Sequence, residues 1–462
     1  MREQPSSPRP AAFHRRFDLF DTRGMSPSLR RSLYMVIWGV TIYMVCNSAV
    51  TGAPWTGFQR EILRADDFQL GLIAAIPVVA NVLQIFISVY MERKRNRRFL
   101  FLFFGILGRT LWIVIGLLPF FIPASEQMLR VLTVIALVGL ISTGNCFVNL
   151  GFASLMGDLV PMRIRGSYFA VRQKVSLVSG ILSGLVISAI VDSFGTVGYS
   201  VALILAGIAG CLDLCCFFRV DWPPMAEKSA EESQEKTSAV IMEVFKNRTF
   251  MRFAVTFTLW GFATNISAPF FNVFMLEDLR MSYTTITVYN YITCSIATVL
   301  VASFWGRKLD VYGSKPVMQF TFLFVSLVPV LWLFMNPGNT WLILVSNVTS
   351  GLFASPADLA QMNLYLGLSP QKNRSVYVAV FFVVYNVLGI ALGNAAGGWL
   401  MQNVFGPLTA SGLMVGGVAV TKFQCIIVLT TLLRLCVTFL AVPRMHEPGA
   451  RSLGDFLRRK PA

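Results

Sequence analysis

Long apolar runs broken by short clusters of charge, glycine and proline fill this chain from residue 33 to residue 443. About 20 apolar residues in a helix cross a bilayer core, so each run is long enough to span one. Breaking the runs at the polar clusters predicts spans at 33–58, 68–91, 99–122, 129–157, 167–192 and 198–218. A second set follows at 251–276, 284–305, 317–335, 341–367, 375–402 and 420–443. The expected fold is an all-α polytopic membrane protein, with twelve transmembrane helices arranged as two pseudo-symmetric six-helix bundles. Its parts are a disordered tail (1–32), an N-terminal bundle (33–218), a polar connector (219–250), a C-terminal bundle (251–443) and a second tail (444–462). The end of the connector, 240–250, interleaves apolar residues with Glu243, Lys246 and Arg248, which predicts a short helix lying at the interface.

Composition agrees with the pattern. Of 462 residues 55% are hydrophobic and 13% charged, against about 25% charged in soluble globular proteins. The net charge of +16 does not point to nucleic acid, because the basic residues sit in loops between apolar runs instead of forming a basic domain. Thirty of the 39 lysines and arginines fall on one side of the predicted topology, five at the other side (Arg60, Arg64, Arg130, Arg280, Lys422) and four within spans (Arg109, Arg172, Lys174, Arg434). The positive-inside rule then places both termini and the connector in the cytosol of a cell-membrane protein, with an anionic lipid leaflet as the partner of the basic loops. The eight cysteines lie in apolar runs and the two histidines, His14 and His446, lie in the tails. No disulfide framework, metal site, cofactor or catalytic cluster is expected, and no enzyme activity.

The two sets of spans repeat each other. Span 1 contains Asn47, then Ala53-Pro54-Trp55; span 7 contains Asn265, then Ala268-Pro269-Phe270. After spans 4 and 10 stand Pro161-Met-Arg-Ile-Arg165-Gly-Ser-Tyr168 and Pro370-Gln-Lys-Asn-Arg374-Ser-Val-Tyr377. After span 8 comes Gly306-Arg-Lys-Leu-Asp310-Val-Tyr-Gly313-Ser-Lys315, and after span 2 comes Ser88-Val-Tyr-Met-Glu92-Arg93-Lys-Arg95-Asn-Arg97-Arg98. These residues resemble the major facilitator superfamily, whose signature loop has glycine, an acid and basic residues at this spacing. The second copy matches well, while the first has Ser88 and Arg95 where glycine is usual. The resemblance implies a monomeric secondary transporter working by alternating access. In it Glu92, Arg93, Asp310, Arg165 and Arg374 form a conformational gate, with the acid capping a neighbouring helix, and spans 1, 4, 7 and 10 line the central cavity.

Polar residues on those four spans fall on single faces. Asn47, Thr51 and Trp55 share one stripe on span 1, and Ser142, Asn145 and Asn149 share another on span 4. Asn347, Gly351 and Asp358 align on span 10 with Gln361 beyond, and span 7 adds Trp260, Thr264, Asn265 and Asn272. Amides in lipid need partners, so each stripe faces another helix or a wet cavity. Asparagine beside tryptophan suits a neutral hydroxylated solute, sugar- or nucleoside-like. Asp358 stands at the repeat position held by Asn149, which makes it the candidate coupling residue for a proton or sodium ion, with Arg434 the cation expected nearest to it and Arg109 a further ionisable group in a span. Arg172 and Lys174, about two turns into span 5, are placed to meet an anionic group at the cytosolic mouth. There is no phosphate-binding Gly-x-x-x-x-Gly-Lys motif to drive transport by ATP, and the glycines 389, 393 and 397 of span 11 predict close helix packing. Two other readings remain at this stage, a transporter-like receptor that moves nothing and an efflux antiporter.

Overall fold

A computed structural model describes residues 25–94, 96–223, 237–370, 374–412, 414–415 and 418–458; at some helical positions, Glu92 and Arg93 among them, it describes the backbone alone. The acidic run of the connector and most of the N-terminal tail lie outside the described residues, as does Arg95. The chain is a bundle of twelve membrane crossings, six in each half. Among the described residues ten continuous helical runs are long and apolar enough to span a bilayer. One of these, Met162–Phe217, holds two crossings, because Gly195 (φ 54°, ψ −127°) reverses the chain inside it. A residue with a side chain is strained at that φ, which is why glycine stands there. The eighth crossing is assembled from Tyr283–Thr287, a π-helical stretch Val288–Thr293 and Cys294–Tyr312. A two-rung hairpin, Met414–Val415 with Val418–Ala419, joins crossings eleven and twelve and is the one departure from helix among the described elements.

Local chemistry sets the ends. Crossing 1 starts at Pro27, earlier than its apolar run, because Ser26 accepts from Leu29 N–H at 3.2 Å and proline suits a first helical turn. It stops at Val50, where Gly52 (φ 76°) breaks it, and resumes as Ala53–Gly57 and the π-helical Phe58–Ile62. Crossing 7 repeats this plan, running Arg248–Asn265 and resuming at Phe270–Glu277. Both end in one type of turn. Ala65 N–H bonds Gln59 C=O at 2.9 Å and Met281 N–H bonds Met275 C=O at 3.0 Å, with Arg64 and Arg280 left-handed at φ 52° and 51°. Two matching non-glycine residues in that conformation show that the halves share a backbone plan.

Crossing 11 packs closely on both halves. A Cβ on Gly389 or Gly393 would meet the carbonyls of Thr258 and Phe262 at 3.0 Å, and one on Gly397 would overlap that of Ile266, so crossing 11 lies backbone to backbone on crossing 7. Gly398 does the same to Asp67 and Phe68 of crossing 2 in the other half. In lipid, where apolar burial gives helices little reason to associate, such close packing is a main source of cohesion. The short helix expected over 240–250 is Thr237–Lys246, and it ends where Asn247 caps crossing 7, which takes in Arg248 to Phe250. The C-terminal tail is described to residue 458. Its helix Leu453–Leu457 puts Phe456 against Tyr312 and Phe320, with ring centroids 5.3 and 5.5 Å apart.

Candidate functional site

The break in crossing 1 turns one face of it toward the bundle axis. Asn47, Thr51, Trp55 and Gln59 line a chamber of about 340 Å³ with Trp112, Asn145 and Asn272. Thr51 donates to Asn47 C=O at 2.7 Å, which satisfies the hydroxyl inside its own helix. The amides of Asn47 and Asn145 have no protein partner among the described residues. Trp55 is fixed by stacking on Phe58 at 5.5 Å and by an edge contact with Trp112 at 5.2 Å. A smaller chamber of about 200 Å³ continues toward the basic side, sharing Tyr43, Arg109 and Asn145 with the first and adding Asn149, Arg172 and Asp213.

The halves are fastened at the end away from the basic loops. Arg60 Nε donates to Glu277 Oε1 at 2.7 Å and Arg60 also pairs with Asp67, which in turn takes Lys422 at 2.5 Å. Arg60 and Asp67 belong to the first half, Glu277 and Lys422 to the second. Beside them, Tyr283 O–H donates to Glu61 at 2.9 Å, and Asp192 accepts from the N–H groups of Tyr283 and Thr284 at 2.9 Å, capping crossing 8 from the other half. Asp278, in the adjoining loop, is pushed up from the usual carboxylate range by burial and by Glu277, against the pull of Lys422 and Arg60. Toward the basic side a cleft of about 510 Å³ separates the halves, with Gln84 and Ser88 on one wall and Phe382 and Asn386 on the other.

Asn272 apart, the predicted residues of the second half lie elsewhere. Trp260 is 8% exposed and stacks on Phe322 at 3.7 Å in that half's core. Asn265 donates to Gly261 C=O at 2.8 Å, and Asn347 donates to Tyr289 C=O at 2.9 Å, tying crossing 10 to crossing 8. Asp358 is exposed, within electrostatic reach of Tyr385 on crossing 11. Arg434 is buried and donates to the carbonyls of Val325 (3.4 Å) and Thr264 (3.5 Å), not to Asp358. Gln361 is half-buried on the same helix as Asp358.

Of the gate residues, Arg165 donates to Gly157 C=O at 2.8 Å, Asp310 and Arg374 are exposed, and the side chains of Glu92 and Arg93 lie outside the described residues. The N-terminus of crossing 9 takes its acid from the tail, since Glu447 accepts from Ser314 N–H at 2.9 Å and Lys315 N–H at 2.6 Å. Sequence reasoning did not find Tyr43, Gln59 and Trp112 in the chambers, nor the lock of Arg60, Asp67, Glu277 and Lys422. The signal available for the lock was the handful of charges on the side that the positive-inside rule leaves nearly bare.

A family model described as Major Facilitator Superfamily matches residues 36–294 and 261–453. No curated protein matches the chain. Among solved structures, a bacterial homolog of the human lysosomal transporter Spinster, in an inward-facing and unoccupied conformation, has a TM-score of 0.65 at 13% identity, covering 92% of this chain and 100% of that one. The nucleoside transporter NupG has a TM-score of 0.66 at 14% identity, covering 90% of this chain and 99% of that one, and a point mutant of it has a TM-score of 0.69 at 14% identity, covering 90% and 100%. At these identities the neighbours establish the fold. The chain belongs to the Major Facilitator Superfamily and is a multi-pass membrane transporter, not an enzyme.

Proposed function

We propose that this protein is a monomeric secondary transporter of the cell membrane, with both termini in the cytosol, taking up a small polar solute together with a proton or sodium ion by alternating access. The observation that carries the reading is the chamber at the breaks of crossings 1 and 7. It joins unpartnered amides and a fixed indole face, and both bundles contribute to its wall. Paired amides and an aromatic plane hold hydroxylated, sugar- or nucleoside-like molecules by hydrogen bonds and stacking. With the basic side in the cytosol, the lock of Arg60, Asp67, Glu277 and Lys422 closes the outside and the cleft opens inward, which is one of the two states alternating access requires. NupG, one of the structural neighbours, is a nucleoside transporter; that supports a polar solute as the class to try first.

Coupling is assigned to Asp358. A carboxylate at membrane depth has a desolvation cost that a bound proton or sodium ion relieves, and no cation stands against it among the described residues. The test is uptake of labelled nucleosides and hexoses into liposomes under imposed proton or sodium gradients, for the native protein and for Asp358→Asn. Gradient-driven accumulation that disappears in the variant, with downhill exchange retained, is expected. Accumulation that survives with unchanged ion dependence removes Asp358 from the coupling role, and absence of any solute movement by the native protein favours a receptor.

A further inference from the structure

The smaller chamber has an electrostatic character of its own. Its polar wall comes from five crossings of the first half: Tyr43, Arg109, Asn145 with Asn149, Arg172 and Asp213. Guanidinium groups stay protonated in proteins, so the chamber holds two fixed positive charges against one carboxylate.

Both cations are held by aromatic faces. Arg109, 6% exposed, lies over the Tyr43 ring with its guanidinium carbon 4.7 Å from the centroid, and Arg172 lies over Phe152 at the same distance. A ring face fixes the plane of a guanidinium without using up its in-plane N–H donors, although Arg109 also has the Tyr43 and Cys46 side chains within hydrogen-bonding reach. The bed for Arg109 is built by Gly210, where a Cβ would meet the arginine's Cγ at 2.9 Å and its Nε at 3.1 Å. The buried Nε atoms of Arg109 and Arg172 have no hydrogen-bond partner, and no carboxylate or carbonyl accepts from either guanidinium among the described residues. Asp213, also 6% exposed, lies against Gly39 and within electrostatic range of both arginines, yet no salt bridge closes among the described residues.

Other buried arginines of this half look different. Arg97 contacts Asp158 at 2.5 Å and also donates to Ser154 and to Pro223 C=O. Arg130 donates to the carbonyls of Ile62, Pro119 and Ile122. Those are cations whose acceptors are supplied by the fold, as buried charge normally requires. Arg109 and Arg172 instead each keep a buried Nε without a partner among the described residues and line a cavity that shares Tyr43, Arg109 and Asn145 with the larger chamber.

We infer that the smaller chamber seats a carboxylate of the transported solute, held between Arg109 and Arg172, while the hydroxylated remainder of the molecule lies against Asn47 and Trp55 in the larger chamber. The solute class is therefore a hydroxylated organic acid with one negative charge, the charge that neutralises the surplus of the site. This deepens the proposed function and rests on its placing of the solute in the central chamber. Guanidinium and carboxylate match as planar groups through two parallel N–H···O bonds, so the pairing is specific as well as strong. Asp213 competes with the solute for the same donors.

The experiment is thermal stabilisation of the purified full-length protein by matched pairs, glucuronate with glucose, galacturonate with galactose and lactate with glycerol, followed by apparent Kd for any binder in Arg172→Gln and Asp213→Asn. Preferential stabilisation by the acid members is expected, weakened at least tenfold in Arg172→Gln and tightened severalfold in Asp213→Asn, where the competing charge is gone. A structural cluster would not move affinity in opposite directions. Arg172 is the half-buried arginine of the two, so its variant keeps the test valid even if Arg109→Gln fails to fold. Stabilisation by the neutral members alone overturns the carboxylate seat and leaves the transport reading standing. Acid binding unchanged in Arg172→Gln, or no stabilisation by any acid, overturns it as well, and liposome uptake of the neutral members then tests the transport reading separately.

Discussion

In the first half Asn47 and Asn145 line the larger chamber without a protein partner among the described residues, whereas in the second half Asn265 and Asn347 give their amide hydrogens to backbone carbonyls. The charged positions divide the same way. Counted from the first residue of their helices, Arg97 and Ser314, Arg109 of crossing 3 corresponds to Ser326 of crossing 9. Asp213-Leu-Cys215 of crossing 6 corresponds to Arg434-Leu-Cys436 of crossing 12. The first half thus aims an arginine and an aspartate into a cavity. The second places Ser326 in a hydrogen bond with Thr438 at 3.2 Å and gives the Arg434 guanidinium two carbonyls, its Nε staying without a partner among the described residues. One backbone plan carries two arrangements, and polar content alone does not tell which half lines a chamber.

The strongest way to break this comparison is to remove the paired arginines. Arg109→Leu is expected to lower kcat/KM for uptake at least 100-fold, a loss of about 2.7 kcal/mol in the transport barrier. Arg434→Leu should leave turnover per folded molecule within about threefold while changing the melting temperature, since a buried cation held only by carbonyls is often replaceable by an apolar side chain. Liposome uptake normalised to folded protein checks both. Equal losses of transport would mean that the second half carries solute chemistry too.

A smaller effect sharpens the same contrast. Asn47→Ala, which takes one hydrogen bond from the solute, should raise KM about tenfold, in line with about 1.4 kcal/mol for such a contact in a water-excluded site. Asn347→Ala should change KM less than twofold and show its cost as lower thermal stability, because its partner is Tyr289 C=O. Concentration dependence of uptake separates the two.

How much of this was legible in the chain follows from the physics of each feature. Twelve crossings and the membrane location follow from hydropathy, which acts over some 20 residues at a time and tolerates local error. The stripes on crossings 1 and 4 were legible because helical periodicity puts Asn47, Thr51 and Trp55 on one face. Periodicity does not say whether a face meets a cavity or another helix, which is why the stripe ending in Asp358 and the one containing Asn149 looked alike. Tyr43 and Trp112 carried no signal, since an aromatic residue in a span reads as core. The partnership of Asp67 with Lys422 joins residues far apart in sequence, and only the tertiary fold brings them together.

The lock comes next in size. Lys422→Met leaves Asp67 its bond to Arg60, and Lys422 is itself partly exposed, so the closed state should lose about 1 kcal/mol, enough to shift the inward and outward populations roughly fivefold. Glu277 is more exposed, and Glu277→Gln should cost about 0.2 to 1 kcal/mol. Distances between spin labels on the two halves, at the end away from the basic loops, report both. A larger shift from Glu277→Gln than from Lys422→Met would place the weight of the lock on crossings 1 and 7 instead of 2 and 12.

The smallest expected effect separates the halves at their basic ends. Crossing 3 is capped locally, Asn96 accepting from Phe99 N–H at 3.4 Å, while crossing 9 starts at Gly313 (φ 86°), which has no side chain to offer, and receives Glu447 from the tail. A carboxylate on two free N–H groups also meets the positive end of the helix dipole, worth about 0.3 to 1 kcal/mol at a partly exposed site. Asp310 is the residue the family resemblance puts in this role, but it is exposed three residues before Gly313. Glu447→Gln should therefore lower the melting temperature by no more than about 2 °C, and Asp310→Asn should lower it less. If Asp310→Asn has the larger effect on stability, the tail is not what caps crossing 9. If Asp310→Asn instead changes transport rate with stability untouched, its carboxylate acts in another conformation, one in which the cleft between Gln84 and Asn386 is closed and the exposed acid gains a partner.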